Sequence, residues 1–247
     1  MAVKTLRRRK RRTVTLDDLG GRSDGGLVIA LDEEQRVHTT PPKVAAALRY
    51  FLARVQHAGP VGLPSRLALT SALFGEGVTF VTRSLASVLA YDNELNIAIV
   101  DLNWAVPRED KEGAPPALVD FVNGTATVDD VIVSTMNPRL SLVQAGPLGM
   151  PRRPAMAASA ALEEALEDIA SRFDHVLLDL PPVQASSDAI RLAQHADAYV
   201  LVVRQGVTAS SQVESALNEL RAYEGLGVIL NRVESRVPRS IRRLMHV

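Results

Sequence analysis

The sequence predicts an α/β fold: a doubly wound, mainly parallel sheet with helices on both faces. Three observations carry this. Six runs are apolar along their length: "RLALT" (66–70), "NIAIVDL" (96–102), "LSLVQAG" (140–146), "DHVLLDL" (174–180), "DAYVLVV" (197–203) and "LGVILN" (226–231). Strands of that kind belong in a parallel sheet covered on both sides. Helical patterns at 78–91, 115–133, 156–172, 185–195 and 208–223 separate them, which is the alternation of a wound α/β domain. Finally, 247 residues with 47% hydrophobic content suffice for one large core.

Taken in order, residues 1–26 read as a leader, punctuated by "GGRSDGG". "LVIAL" (27–31) reads as a short strand. "PPKVAAALRYFLARVQ" reads as a helix opened by prolines and ended by Gly59 and Pro60. The 115–133 helix is expected to break near Gly124. The division is therefore a basic, flexible leader over 1–26 and a single α/β domain over 27–247. Ligands are expected at the carboxyl ends of the strands.

Composition narrows the setting. The absence of cysteine excludes disulfides and thiolate metal sites and fits a reducing compartment. No apolar run reaches the ~18 residues of a membrane span. The N-terminus is too basic for a signal peptide, so the expected location is the cytoplasm. The net charge of zero hides an asymmetry: residues 1–12 carry seven positive charges and no acid. With 28 basic and 28 acidic residues in all, 21 basic against 28 acidic remain, about −7 for the rest. Such an arm is suited to anionic lipid, nucleic acid or an acidic partner, or is simply a solvated tail. It lacks the interleaved aromatics of a single-strand stacking surface.

"TSALFGEGVTF" (70–80) joins an apolar strand to a helix through a glycine-bearing turn, the setting of a phosphate-binding loop. Further on come "VDLNWAVP", "QAG", "DHVLLDLPP", "SDAIRLAQHADAYVLVVR" and "GVILN", in that order. The set resembles the MinD/ParA-type P-loop NTPases and, within them, the bacterial tyrosine kinases of capsule and exopolysaccharide synthesis, over about residues 40–235. The resemblance implies magnesium with ATP or ADP as cofactor. The phosphate loop would be Gly75, Glu76, Gly77, Val78, Thr79 and Phe80. Thr79, Asp101 and Asp179 would hold the metal, with Asp101 and Asp179 also catalytic, and Asn231 would read adenine. It further implies a homo-oligomer, the cytosolic part of a polysaccharide-export membrane protein as partner, and a place at the inner face of the membrane.

The departures fall on the chemistry. Val78 stands where the family has the lysine that reaches the β/γ oxygens. A unit charge ~4 Å from a phosphate oxygen contributes about 4 kcal/mol at an effective dielectric near 20. Phe80 replaces a small hydroxyl residue, which sets an aromatic ring beside the expected α-phosphate. Asn103 replaces a second aspartate, Ala105 and Val106 a basic pair, and Leu180 a threonine. Of the helical ExxRxxR assembly pattern, matched to Ala46, Arg49 and Leu52, only the arginine remains. The tail lacks the family's tyrosines; the last one, Tyr223, falls on a predicted helix.

The leading expectation is a pseudo-enzyme that keeps the fold as a scaffold and requires no cofactor. Two alternatives stay open. One is a residual ATPase or autokinase with a replacement cation from Arg66, Arg83 or Arg204. The other is a ParA-like positioning protein whose basic arm binds DNA, membrane or a pilus apparatus. Asp101 and Asp179 read equally as strand-end carboxylates, Asn231 as a strand terminator, and Gly75 and Gly77 as residues required for positive φ.

Overall fold

The computed structural model describes residues 27–30, 37–58, 62–92, 94–104 and 115–233. The leader, Ala105, Val106 and the segment after Val233 lie outside these. The chain opens with β1 (Leu27–Ala30) and β2 (Val37–Thr40), an antiparallel pair separate from the main sheet. Then come α1 (Pro42–Ala58), β3 (Arg66–Ser71), α2 (Val78–Asp92), β4 (Ile97–Asp101), α3 (Leu118–Val122), α4 (Val128–Val131), β5 (Ile132–Ser134) and β6 (Leu140–Val143). A 3₁₀ turn leads into α5 (Arg153–Ala157), followed by α6 (Ala160–Ala170), β7 (His175–Asp179), α7 (Ala189–Ala193), β8 (Ala198–Arg204), α8 (Ser210–Glu219) and β9 (Gly225–Asn231).

The seven-stranded sheet runs β5-β6-β4-β7-β3-β8-β9, parallel throughout except for β5 against β6. The six predicted strands are all present, and the doubly wound fold is as predicted. Side chains on alternate positions explain why the runs look continuously apolar. Leu67, Leu69, Ile97, Ile99, Leu177, Val200 and Val202 pack with α1 and α2 on one face. Ala68, Ala98, Val100, Val176, Leu178 and Leu201 pack with the later helices on the other. Each large aliphatic buried this way contributes about 1.5–3 kcal/mol.

Three helix expectations need correction. The segment 115–133 forms two short helices, and its end is strand β5, because Ile132 and Val133 find partners in Val143 and Leu142 of β6. The 156–172 segment is split: the Ser159 side chain accepts from Leu162 N at 3.2 Å and starts a fresh helix. The last helix stops at Glu219, so Tyr223 lies beyond it, its ring packed on the core and its hydroxyl donating to Ile190 O at 3.2 Å.

At the amino ends of the strands, Arg66 meets Glu163 at 2.7 Å, and its backbone N donates to Asp197 at 2.8 Å. The other carboxylate oxygen of Glu163 meets His195 Nδ1, while His195 Nε2 faces Ala157 O at 2.8 Å. Burial pushes the Glu163 carboxyl up, but the bonds from His195 and Arg66 outweigh it and hold it below the usual range. Arg49 makes a bidentate pair with Asp92 at 2.6 and 3.0 Å, Leu52 is core, and Ala46 is exposed. No helix among the described residues is long and apolar enough to cross a membrane.

Candidate functional site

The sheet order puts β4, β7 and β3 side by side, so their carboxyl ends share one rim. Asp101 ends β4 and Asp179 ends β7, directly opposite each other in register. Parallel neighbours are ~4.8 Å apart, so the backbones of the two residues stand one strand spacing from each other. Both are buried, Asp179 at 2% exposure. Asp101 Oδ1 accepts from Asn103 N at 2.8 Å. Leu102 N donates to Asp179 O at 3.0 Å, closing the rim between the strands.

β3 then runs into the turn 72–77 and straight into α2, which begins at Val78. The strand–turn–helix expected for "TSALFGEGVTF" is therefore present. Gly75 (φ 79°) and Gly77 (φ 91°) adopt the left-handed backbone that the turn needs. The turn is laced to the segment after β7: Thr70 Oγ1 donates to Pro181 O at 2.7 Å, Val183 N to Ser71 O at 2.9 Å and Gln184 N to Ala72 O at 3.2 Å.

At the centre of the turn, Glu76 is 2% exposed. Its carboxylate accepts from Leu73 N at 2.8 Å, from Arg204 N at 3.3 Å and from the Thr208 hydroxyl. Its backbone oxygen accepts from Asn231 Nδ2 at 2.8 Å. A buried carboxylate of this kind needs such charge-assisted donors to offset its desolvation. The clasp ties the loop to the ends of β8 and β9. Sequence reasoning missed Thr208, which belongs to no motif and reaches Glu76 only through the fold. It also missed the engagement of Asn231, whose amide is held by the loop backbone.

Val78 is 8% exposed and belongs to the apolar cluster between α1, α2 and the sheet. Thr79 follows, half-buried, in the first turn of α2. That turn carries no acid, so the amino-terminal partial charge of the helix faces the loop. The ring of Phe80, expected beside an α-phosphate, has a protein partner: its centroid lies 5.2 Å from that of His38 on β2. His38 also meets Ser84 at 3.0 Å and Thr40 at 3.3 Å. Burial, with Arg83 nearby second, lowers the pKa of His38 to about 4.

The three arginines separate. Arg204 has its backbone on the Glu76 clasp, and Arg83 lies one turn into α2 near His38. Arg66 is corrected: it starts β3, five residues and about 16 Å from the end that carries the loop, and is engaged by Glu163 and Asp197. Around the rim, Asn103 Oδ1 is buried without a hydrogen-bond partner among the described residues. With Asp101 and Asp179 it makes an oxygen-only set, the donor type of a hard divalent ion.

No family model matches the chain. Tyrosine-protein kinase CpsD of Streptococcus agalactiae is 31% identical over 176 residues, covering 69% of this chain and 76% of that one. Among solved structures, the kinase domain of VpsO superposes with a TM-score of 0.66 at 27% identity, covering 78% of this chain and 95% of that domain. Cobyrinic acid a,c-diamide synthase from Mycobacterium smegmatis, solved with ADP and magnesium, shares the fold at a TM-score of 0.58 and 19% identity, covering 75% of this chain and 81% of that one. The frame of a P-loop NTPase and a likeness that spans three quarters of CpsD lead to one conclusion: the chain belongs to the bacterial tyrosine-protein kinase family.

Proposed function

We propose that this member of the family is a pseudo-enzyme, a P-loop fold used as a cytosolic scaffold or regulator in exopolysaccharide synthesis and export. The observation that carries the reading is Val78. It is a buried apolar side chain, packed in the core, at the position where the resemblance requires a cation. The Glu76 carboxylate occupies one loop amide. The oxygen donors suit a divalent ion in kind, while the triphosphate is left without the lysine that would offset its charge. The fit to magnesium-ATP is therefore poor. The partner on this reading is the cytosolic part of a polysaccharide-export membrane protein, met at the inner face of the membrane.

Calorimetric titration with magnesium-ATP tests it. The wild-type chain is expected to show no saturable binding at submillimolar nucleotide. Val78→Lys alone places an ammonium in an apolar cluster, and its expected first effect is destabilisation. Val78→Lys with Phe80→Thr is expected to recover measurable affinity through the loop backbone, Thr79, Asp101 and Asp179. Tight binding by the wild type would falsify the reading.

One observation favours a second reading, a residual ATPase or autokinase. The backbone of Arg204 is bonded to Glu76, so its side chain departs from beside the loop. On that reading the wild type turns over ATP, and Arg204→Ala abolishes the turnover.

A further inference from the structure

The β9 edge of the sheet differs from its interior. Val228 and Leu230 are 42% and 56% exposed, although their register partners Leu201 and Val203 are core. They share the face that α8 covers in part, leaving Val213 and Leu217 only partly buried. The opposite edge is β5, three residues long, a length that blunts an edge by itself. β9 has seven residues, no charge and no proline. Its ladder with β8 shifts register after Tyr199, so the regular stretch is 227–231. Gln205 N donates to Asn231 O at 3.0 Å, so Asn231 turns its peptide groups toward β8. Along a parallel strand alternate residues do so. Val228 and Leu230 therefore turn theirs to the outer edge, where the described residues place no further strand. Two N–H and two C=O groups thus stand beside two exposed apolar side chains, which makes β9 an edge built to pair.

Charge around this edge is polarised along the strand. Before β9 come Glu219, Arg221 and Glu224, all exposed, with the acids in excess. At its far end Arg232 is exposed, and Arg204 of β8 stands against the buried Glu76. Glu214, midway along α8, belongs to neither end. None of Glu219, Arg221, Glu224 and Arg232 forms an ion pair among the described residues. We propose that β9 is a self-association edge, on which a second copy lays its own β9 antiparallel about a two-fold axis at Ile229. Val228 of each copy then lies opposite Leu230 of the other as a hydrogen-bonded pair, and Ile229 lies opposite itself. The α8 face gathers Val213, Leu217, Val228 and Leu230 from both copies. The acid-rich start of one strand meets the Arg232 end of the other, whereas a parallel approach would set like ends together. A two-fold contact closes on itself, so the edge is spent in a dimer. The proposal rests on the sheet and is independent of whether the loop takes a nucleotide.

The chain has no cysteine, so an introduced thiol reports without background. In the full chain, Ile229→Cys is expected to form a disulfide-linked dimer on mild oxidation. A non-hydrogen-bonded antiparallel pair has Cα atoms ~4.5 Å apart, inside the ~4.4–6.8 Å that a bridge needs. Met136→Cys, exposed beside the far sheet edge, is expected to stay uncross-linked under the same conditions. Sedimentation velocity over a concentration series is expected to show a monomer–dimer equilibrium for the wild type. Glu224→Arg is expected to raise its dissociation constant about tenfold, because like charges then meet at both ends. Glu224→Arg with Arg232→Glu is expected to return it to within a few-fold of wild type. Val228→Lys with Leu230→Lys, at positions already exposed, is expected to abolish the dimer. A wild type that is monomeric at every concentration overturns the proposal. A dimer that neither the two lysines nor Ile229→Cys touches also overturns it and assigns association to another surface. A charge-reversed double variant no better than Glu224→Arg alone overturns the antiparallel register.

Discussion

Gly77 carries two constraints that no other residue type meets. Its φ of 91° belongs to the left-handed region, and a Cβ there would lie 2.3 Å from Asn231 Nδ2. Gly77→Ala is expected to lower stability by more than about 2 kcal/mol, combining the backbone cost with the clash. In an Asn231→Ala background the steric part vanishes and about 1–2 kcal/mol of backbone strain remains. Urea titration of both single variants and the double checks this, because non-additivity is the signature of contact. Glu76→Ala leaves Leu73 N, Arg204 N and the Thr208 hydroxyl without their shared acceptor. The expected loss is about 1.5–3 kcal/mol, the worth of hydrogen bonds to a charged group, read as a lower urea midpoint. The need for positive φ at Gly75 and Gly77 was legible in the sequence. The partner of Gly77 was not, because Asn231 and Glu76 meet across 155 residues.

At the scale of elements, the β1–β2 hairpin is pinned to α2 through His38, and so touches the helix that begins at the 72–77 turn. The ring is held neutral, its pKa lowered to about 4 by burial and then by Arg83. The unfolded chain takes up that proton near 6.5. Stability from the neutral ring is therefore complete above pH 6.5 and is lost as pH falls toward 4. The loss is on the order of 2 kcal/mol by pH 5. Urea unfolding at pH 7.5 and pH 5, compared with His38→Gln, isolates it: the variant should show the smaller pH dependence. Strand β2 was not legible because "VHTT" has no apolar run; its buried residues, His38 and Thr40, are polar and satisfied by each other and by Ser84. β5 was missed for the opposite reason, since "VIV" after Asp130 extends a helical pattern until β6 offers a partner.

At the scale of the whole molecule, the apolar runs made the sheet legible: burial on both faces marks the interior strands β3, β4, β7 and β8, whereas the run of β9 is apolar at an exposed edge. The order of the strands, and hence the meeting of Asp101 with Asp179, came only through the likeness to a known motif set. The charge asymmetry also belongs to this scale. Deleting residues 1–12 removes seven positive charges. Retention on anionic liposomes or DNA is expected to fall to that of a neutral control and to lose its salt dependence. Unchanged retention would assign binding to the folded domain instead.

The central position of β3 has a further consequence, for how the chain acquires its structure. β3 is flanked by β7 and β8, so its neighbours come late: Thr70 waits for Pro181, 111 residues on, and Arg66 for Asp197, 131 residues on. Such separations raise the contact order and slow the search. During synthesis at ~5–20 residues per second, β3 and the 72–77 turn stay unpaired for roughly 5–30 seconds after they emerge. Stalled chains ending near residue 170 should leave β3 open to protease, and chains extended past β9 should close it. The glycine loop, early in sequence, is thus among the last parts of the molecule to take its shape.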